Sequence, residues 1–283
     1  MYYVLYNPHS NNEKGLEAVQ GAKEKLSADT PFYDMTKIDD YGKFFETIPA
    51  DGKILIIGGD GTLNHFINDV SKLNITHEIY YKAGGTGNDF LKDVKEAKAS
   101  DFVKINKYLE DLPTVYVNGK ESLFLNGIGY GIDGYCCEVG DKLRLKSTKP
   151  VNYTSIAIKG LLFHYKTTKA VITVDGKRYE FKNVWLAPTM NGHFYGGGMI
   201  PTPDQDRLAQ PKQLSVMVYH CPNKLKALMI FPSIFKGEHV KHTEAVSIFT
   251  GKDITVEFDS PRALQIDGET VLGVTKYRAV AKA

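Results

Sequence analysis

The stretch "ILIIGGDGTLNH" (54–65) decides how the chain is read. Its continuous apolar run, Ile54 to Ile57, is the pattern of a strand covered on both faces. The run ends in Gly58, Gly59, Asp60, Gly61 and Thr62, after which Leu63, Phe66, Ile67, Val70 and Leu73 recur at helical spacing. A strand feeding a helix through glycines brings main-chain N–H groups and the positive helix end close to an anion. No lysine follows at the spacing a P-loop requires. Thr62 is the expected cap of the helix. Asp60 repels phosphates unless it holds a Mg²⁺ that accompanies a nucleotide, directly or through water.

Two further loops share this logic. "KAGGTGNDF" (82–90) again offers close-approach glycines, Gly84, Gly85 and Gly87, with Asn88 or Asp89 expected to cap a short helix from Phe90. "NPHSNNEKG" (7–15) directly follows the first strand, "YYVLY" (2–6), and precedes the helical period "GLEAVQGAKEKL" (15–26). In an α/β sheet, loops at the carboxyl ends of neighbouring strands converge on one crevice. The alternation of strands and helices up to residue 113 predicts a doubly wound α/β domain.

From residue 114 the period changes. "TVYVNGKESLFL", "AVITVDGKRYEF" and "RALQIDGETVLG" read as hairpins around Asn118-Gly119, Asp175-Gly176 and Asp267-Gly268. "LSVMVYH" (214–220) and "DITVEF" (253–258) add strands, so this half is expected to form an antiparallel β-sandwich or barrel. One helical stretch, "KLKALMIFPSIF" (224–235), breaks at Pro232.

Composition narrows the classes. With 283 residues, 42% hydrophobic and 24% charged, the chain is globular, and a net charge of +2 gives no reason to expect nucleic acid. Three cysteines, two of them adjacent, form neither a disulfide framework nor a metal-ligand spacing, which points to a reducing cytoplasm. "MYYVLYNPHS" lacks the pattern of a signal peptide. No apolar stretch reaches the roughly 18 residues of a transmembrane helix. The cluster Lys142, Arg144, Lys146 and Lys149 reads first as a solvated face, and second as a lure for anionic headgroups. The apolar residues of 225–235 read first as core and second as a lipid-facing helix. His65 reads as surface or packing.

"GGDGTLN" (58–64) followed by "GTGNDF" (85–90) resembles the catalytic domain of diacylglycerol kinases and related lipid kinases, in the superfold of NAD kinases. The resemblance continues, in order, through "FLNGIGYGIDGYC" (124–136), "APTMNGHFYGGGMIPTPD" (187–204) and "IDGE" (266–269). It implies a nucleotide domain, 1–113, and a β-sandwich acceptor domain, 114–275, with 276–283 returning to complete the first. It also implies ATP-dependent phosphoryl transfer to a lipid hydroxyl, with Mg²⁺ entering on ATP. Carried over by motif, Asn7, Pro8, His9, Ser10, Asn11, Thr36, Gly58, Gly59, Asp60, Gly61, Thr62, Leu63 and Asn64 line the nucleotide site. Gly85, Thr86, Gly87, Asn88 and Asp89 complete it. Asp267 is the implied base for the acceptor hydroxyl, with Glu269 beside it and Asp60 at the phosphates.

At one point the chain departs from the family. Many bacterial members carry Asp-Gly-x-Leu-Asp after the triple glycine, holding a structural Mg²⁺; here Pro211 and Ser215 stand in those places. The expected setting is the cytoplasmic face of a membrane, without a spanning segment, the oligomeric state, a homodimer included, being left open. The alternatives are an NAD kinase, which shares the first motif, and a regulator that binds nucleotide or lipid without turnover.

Overall fold

The computed structural model describes residues 1–8, 10, 14–84, 87–146 and 151–282. The chain divides into two compact units, Met1–Glu110 and Asp111–Ala283.

The first unit alternates strands and helices. It runs β1 (Tyr2–Tyr6), α1 (Lys14–Lys23), β2 (Phe32–Asp34), α2 (Tyr41–Glu46), β3 (Lys53–Gly58), α3 (Asp60–Asp69), β4 (Glu78–Ala83), α4 (Asp89–Asp93), β5 (Val103–Lys104) and α5 (Asn106–Leu109). The sheet order is β2-β1-β3-β4-β5, parallel throughout except for β5. Ile54 to Ile57 are buried because helices cover both faces of the sheet, as their unbroken apolar run requires. On one face Val19 and Ala22 of α1 pack on Val4, Leu55 and Ile57. Elsewhere Phe66 of α3 meets Tyr41 and Phe45 of α2 edge-on.

Helix α3 starts earlier than the sequence suggests. Gly59 is its cap and makes no side-chain cap bond, while Thr62 lies buried in the first turn. The reason is steric. A Cβ on Gly58 would come within 2.6 Å of the Thr62 side chain, so the threonine packs beneath the turn instead of capping it.

The second unit is an antiparallel β structure. Its elements are β6 (Thr114–Val117), β7 (Lys120–Leu123), β8 (Gly127–Tyr130), α6 (Ile132–Arg144), α7 (Tyr153–Lys159), β9 (Thr168–Val174), β10 (Lys177–Leu186), β11 (Thr189–Met190), β12 (Leu214–His220), α8 (Lys224–Ile230), β13 (Val246–Gly251), β14 (Asp253–Ile266) and β15 (Glu269–Val280). The strands follow the path β7-β6-β15-β14-β8-β11-β12-β10-β9, and β9 pairs back to β14, closing a ring. The three hairpin turns take positive φ at both central residues, for example 47° at Asp267 and 98° at Gly268. This geometry follows the right-handed twist of the flanking strands. Ile128, Val216, Leu264 and Tyr277 belong to the core that the ring encloses. A second core lies under α6, α7 and α8 and includes Ile156, Leu161, Trp185, Ala227 and Ile230. Helix α8 ends at Ile230, and a 3₁₀ turn, Phe231–Lys236, carries Pro232.

One expectation is corrected here. The described residues of the segment, 276–282, do not return to the first sheet, because Tyr277 to Val280 pair with Val117 to Thr114 of β6. Tyr277 and Ala279 are buried in the second unit's core, which holds the strand there. Among the described residues, no helix is long and apolar enough to cross a membrane.

Candidate active site

In the first unit, four of the sequence-predicted segments follow the carboxyl ends of parallel strands. Asn7, Pro8 and Ser10 follow β1, Thr36 follows β2, Gly58 ends β3, and Gly84 follows β4. The glycine turns are stitched together. Gly58 O accepts from Gly84 N at 2.8 Å and from the buried Tyr81 hydroxyl at 2.8 Å. Asp60 then reaches across to the second turn, its two carboxylate oxygens accepting from Asp89 N at 2.8 Å and Phe90 N at 3.1 Å. Helix α4 is therefore capped by Asp60, whereas Asn88, at the cap position, makes no side-chain cap bond. Asn88 instead takes the left-handed conformation that turns the chain into the helix, with φ of 49°.

The start of α3 lies beside these turns. The first N–H groups of a helix have no partner within it, and they favour an anion. Gly59, Asp60 and Gly61 are half-buried there, while Thr62, Leu63 and Asn64 are buried. The Leu63 side chain belongs to the core, so only its main chain can face a ligand. Asn64 takes part in a side-chain contact with Asn68 one turn on. Gly87 sits beside the Asp60 carboxylate, where a Cβ would lie 3.5 Å from Oδ2. Asp89 is buried and paired with Lys92 at 2.9 Å. Ser10 donates to Asn7 O and accepts from Gly15 N through its carbonyl, folding the first loop on itself. Thr36 is exposed, and both its N–H and its hydroxyl donate to Asp34. His9, Asn11, Gly85, Thr86 and Lys149 lie outside the described residues.

In the second unit the site gathers on the Asp267–Gly268 turn. Three consecutive main-chain N–H groups donate to the Asp267 carboxylate: Leu125 at 2.5 Å, Asn126 at 2.8 Å and Gly127 at 3.1 Å. Donors of this kind favour the ionised carboxylate and fix where it points. Glu269 follows as the first residue of β15 and is exposed.

The segment that holds Asp267 is itself held from its other side. Arg207 is 4% exposed, and its guanidinium donates to Leu125 O at 3.2 Å and Asn126 Oδ1 at 2.9 Å. Asn191 adds a bond from Nδ2 to Leu125 O at 2.7 Å, and its main-chain N donates to Asn126 O. Gln265 accepts from Gly268 N at 2.6 Å and donates to the buried Asp133 at 2.9 Å, tying the turn to the start of α6. Sequence reasoning missed the roles of Arg207, Gln265 and Asp133. They are polar residues in a turn, a strand and the first turn of a helix, and their partners are remote in the chain.

The remaining sequence features are inert by comparison. Burial, reinforced by Asp133, pushes the Cys136 and Cys137 thiols well up, which keeps them protonated. Desolvation lowers His220 and His239 below their ordinary value. His65 is exposed on α3. Ser215 sits in β12 and shares a hydrogen bond with Thr250 at 2.8 Å. Among the described residues, no group of three His, Cys, Asp or Glu side chains is arranged to hold a metal ion.

Fold and site together define a two-domain protein: an α/β unit whose glycine turns lie at the carboxyl ends of its parallel strands, followed by a ring of antiparallel strands carrying a carboxylate held by three main-chain donors. Residues 1–114 match the diacylglycerol kinase catalytic domain, and residues 126–280 match the YegS C-terminal NAD kinase beta sandwich-like domain. The chain belongs to this family of diacylglycerol kinase-type lipid kinases. Among curated proteins it is 25% identical over 246 residues to "Putative lipid kinase YtlR" of Bacillus subtilis, covering 80% of this chain and 76% of the relative. It is 28% identical over 231 residues to "Putative lipid kinase SH2167" of Staphylococcus haemolyticus, covering 77% and 70%. A solved structure described as a diacylglycerol kinase from Bacillus anthracis shares the fold, with a TM-score of 0.65, 21% identity, and coverage of 99% and 93%.

Proposed function

We propose that the protein is an ATP-dependent kinase that transfers the γ-phosphoryl group to the hydroxyl of a lipid, diacylglycerol or a related alcohol. ATP arrives as its Mg²⁺ complex. The main-chain N–H groups of Gly59 to Thr62 and of Gly87 and Asn88, with the loops at Asn7–Asn11, Thr36 and Gly85–Thr86, cradle the nucleotide. Asp60 holds the two glycine turns in register. Phosphoryl transfer depends chiefly on positioning and charge neutralisation, and the acceptor alcohol must also lose its proton. Asp267 takes that proton, and Glu269 assists beside it. The enzyme works at the cytoplasmic membrane face, in phospholipid metabolism.

The observation that carries this reading is the Asp267 carboxylate, held by three amide donors, in a chain of the lipid kinase family. The test is incubation with γ-labelled ATP, Mg²⁺ and diacylglycerol, polyprenol or NAD in parallel. Label in a chloroform-soluble product is the expected result. Label in NAD instead, or ATP binding with no labelled acceptor, would refute it in favour of an NAD kinase or a non-catalytic regulator.

A further inference from the structure

The turn that carries Asp267 is held differently from the other two hairpin turns. Gly268 N, the second amide of that turn, donates to Gln265 Oε1 at 2.6 Å. Among the described residues, neither Gly119 N nor Gly176 N, at the matching places, donates to a side chain. All three glycines are exposed, so water can serve such an amide and a hairpin of this type does not need the extra bond. The bond to Gln265 is a particular of the turn with the carboxylate.

The strand pattern puts Gln265 under α6. It lies in β14 opposite Gly129 of β8. Its neighbours Leu264 and Ile266 belong to the core inside the ring. Alternation along a strand therefore turns Gln265 to the other face, on which α6 packs, and there it is 3% exposed. Glycine makes the room. A Cβ on Gly129 would overlap the Asp133 carboxylate and crowd the Gln265 amide, and one on Gly134 would collide with Ala263 O. The run "GIGYGIDG" (127–134) thus lets the first turn of α6 sit directly on β14 and brings Asp133 to Gln265.

The contacts give the amide one direction. A glutamine has an acceptor end and a donor end, and an N–H group can face only the acceptor. Gly268 N therefore takes Oε1, which leaves Nε2 to donate to Asp133 Oδ2 at 2.9 Å. A donor in the place of Asp133 would turn the amide over and set Gln265 Nε2 against Gly268 N. Buried as it is, the amide would then lose both bonds, and an unmade buried hydrogen bond costs more than a made one contributes. The amides of residues 125–127 hold the Asp267 oxygens, and Gln265 holds the backbone from which that side chain hangs.

We infer that Gln265 is a positioning residue for Asp267: its amide, given its direction by Asp133, clamps Gly268 and so fixes the turn on which the base is carried. The inference rests on the reading of Asp267 as the base of a lipid kinase.

The test compares three variants of the full chain in lipid phosphorylation, with rates referred to the folded fraction measured by circular dichroism. Gln265→Met keeps the length of the side chain and makes neither bond. It should lower kcat between about tenfold and a hundredfold, the cost of a slightly misplaced catalytic group, with KM for ATP unchanged. Gln265→Glu sets a carboxylate oxygen against Asp133, and kcat should fall at least as far. Adding Asp133→Asn to Gln265→Glu exchanges the two end groups: the new amide donates to the new carboxylate, which still accepts from Gly268 N. This exchanged pair should recover most of what Gln265→Glu loses. Wild-type kcat in Gln265→Met, or an exchanged pair no better than Gln265→Glu alone, would overturn the inference. A wild type that labels no lipid would sink the kinase reading alone, because the carbon-13 resonance of the Asp267 carboxyl reports its pose without turnover. That resonance should move in Gln265→Met and return in the exchanged pair, and a resonance that stays put in Gln265→Met would refute the positioning role.

Discussion

The carboxylate of Asp60 caps the helix that begins at Asp89, accepting from its main-chain N at 2.8 Å. An acid in one glycine turn thus closes the other. Charge repulsion made this residue awkward in a phosphate site, and the contact gives it a structural purpose that does not exclude a metal-directed one.

Removing that cap should loosen the nucleotide site first. Asp60→Ala is expected to cost about 1–2 kcal/mol of stability, the usual worth of a charged N-cap. ATP affinity should fall as well, because Gly87 and Asn88 lose their anchor. Denaturant unfolding and calorimetric titration with ATP check the two effects. Wild-type values for both would show that the contact does not organise the turns.

Arg207 acts on Asp267 through the segment 125–127, clamping its carbonyl side while its amide side clamps the carboxylate. Arg207→Met takes the donor from the buried Asn126 Oδ1 and one of two donors from Leu125 O, for a loss of about 1–3 kcal/mol. A positioning role makes a narrower demand: kcat should fall while KM for ATP stays put, and Arg207→Lys should recover part of kcat. A purely structural residue would lower the amount of active enzyme without that split.

Glu78 sets an acid limit for the first sheet. Hydrogen bonds from Lys104, Tyr80 and Lys53 lower its carboxyl from 4.5 to about 2, and the lysines tie β3 and β5 to β4. A group with a depressed folded value contributes its stability above the unfolded value and loses it as pH falls. The contribution should therefore be whole above about pH 4.5 and vanish toward pH 2. Because the Glu78 side chain is 40% exposed, the effect is small and salt-sensitive. Glu78→Gln should flatten the stability–pH curve across that window, and 1 M salt should do the same to the wild type.

Much of this architecture was legible in the chain itself. Ile54 to Ile57 announced a doubly covered strand, and Asn118-Gly119, Asp175-Gly176 and Asp267-Gly268 announced hairpins, because both signals are local and steric. The start of α3 was misread, since Thr62 is a good cap by composition and only the approach of Gly58 denies it that place. The last strand was misassigned by resemblance, although its alternation of Tyr277 and Ala279 with polar residues fits a strand buried on one face. Arg207 and Gln265 left no trace, and the family-like segment 124–136 held Asp133 without showing its partner, because a buried hydrogen-bond network is defined by residues far apart in sequence.

The most direct measurement is label transfer from γ-labelled ATP to diacylglycerol by Asp267→Asn, set beside its ATP affinity. Asparagine keeps the size of the side chain and removes the base. The account predicts that transfer falls by at least about a hundredfold, the range of a lost general base, with ATP binding unchanged. Transfer at the wild-type rate would contradict it.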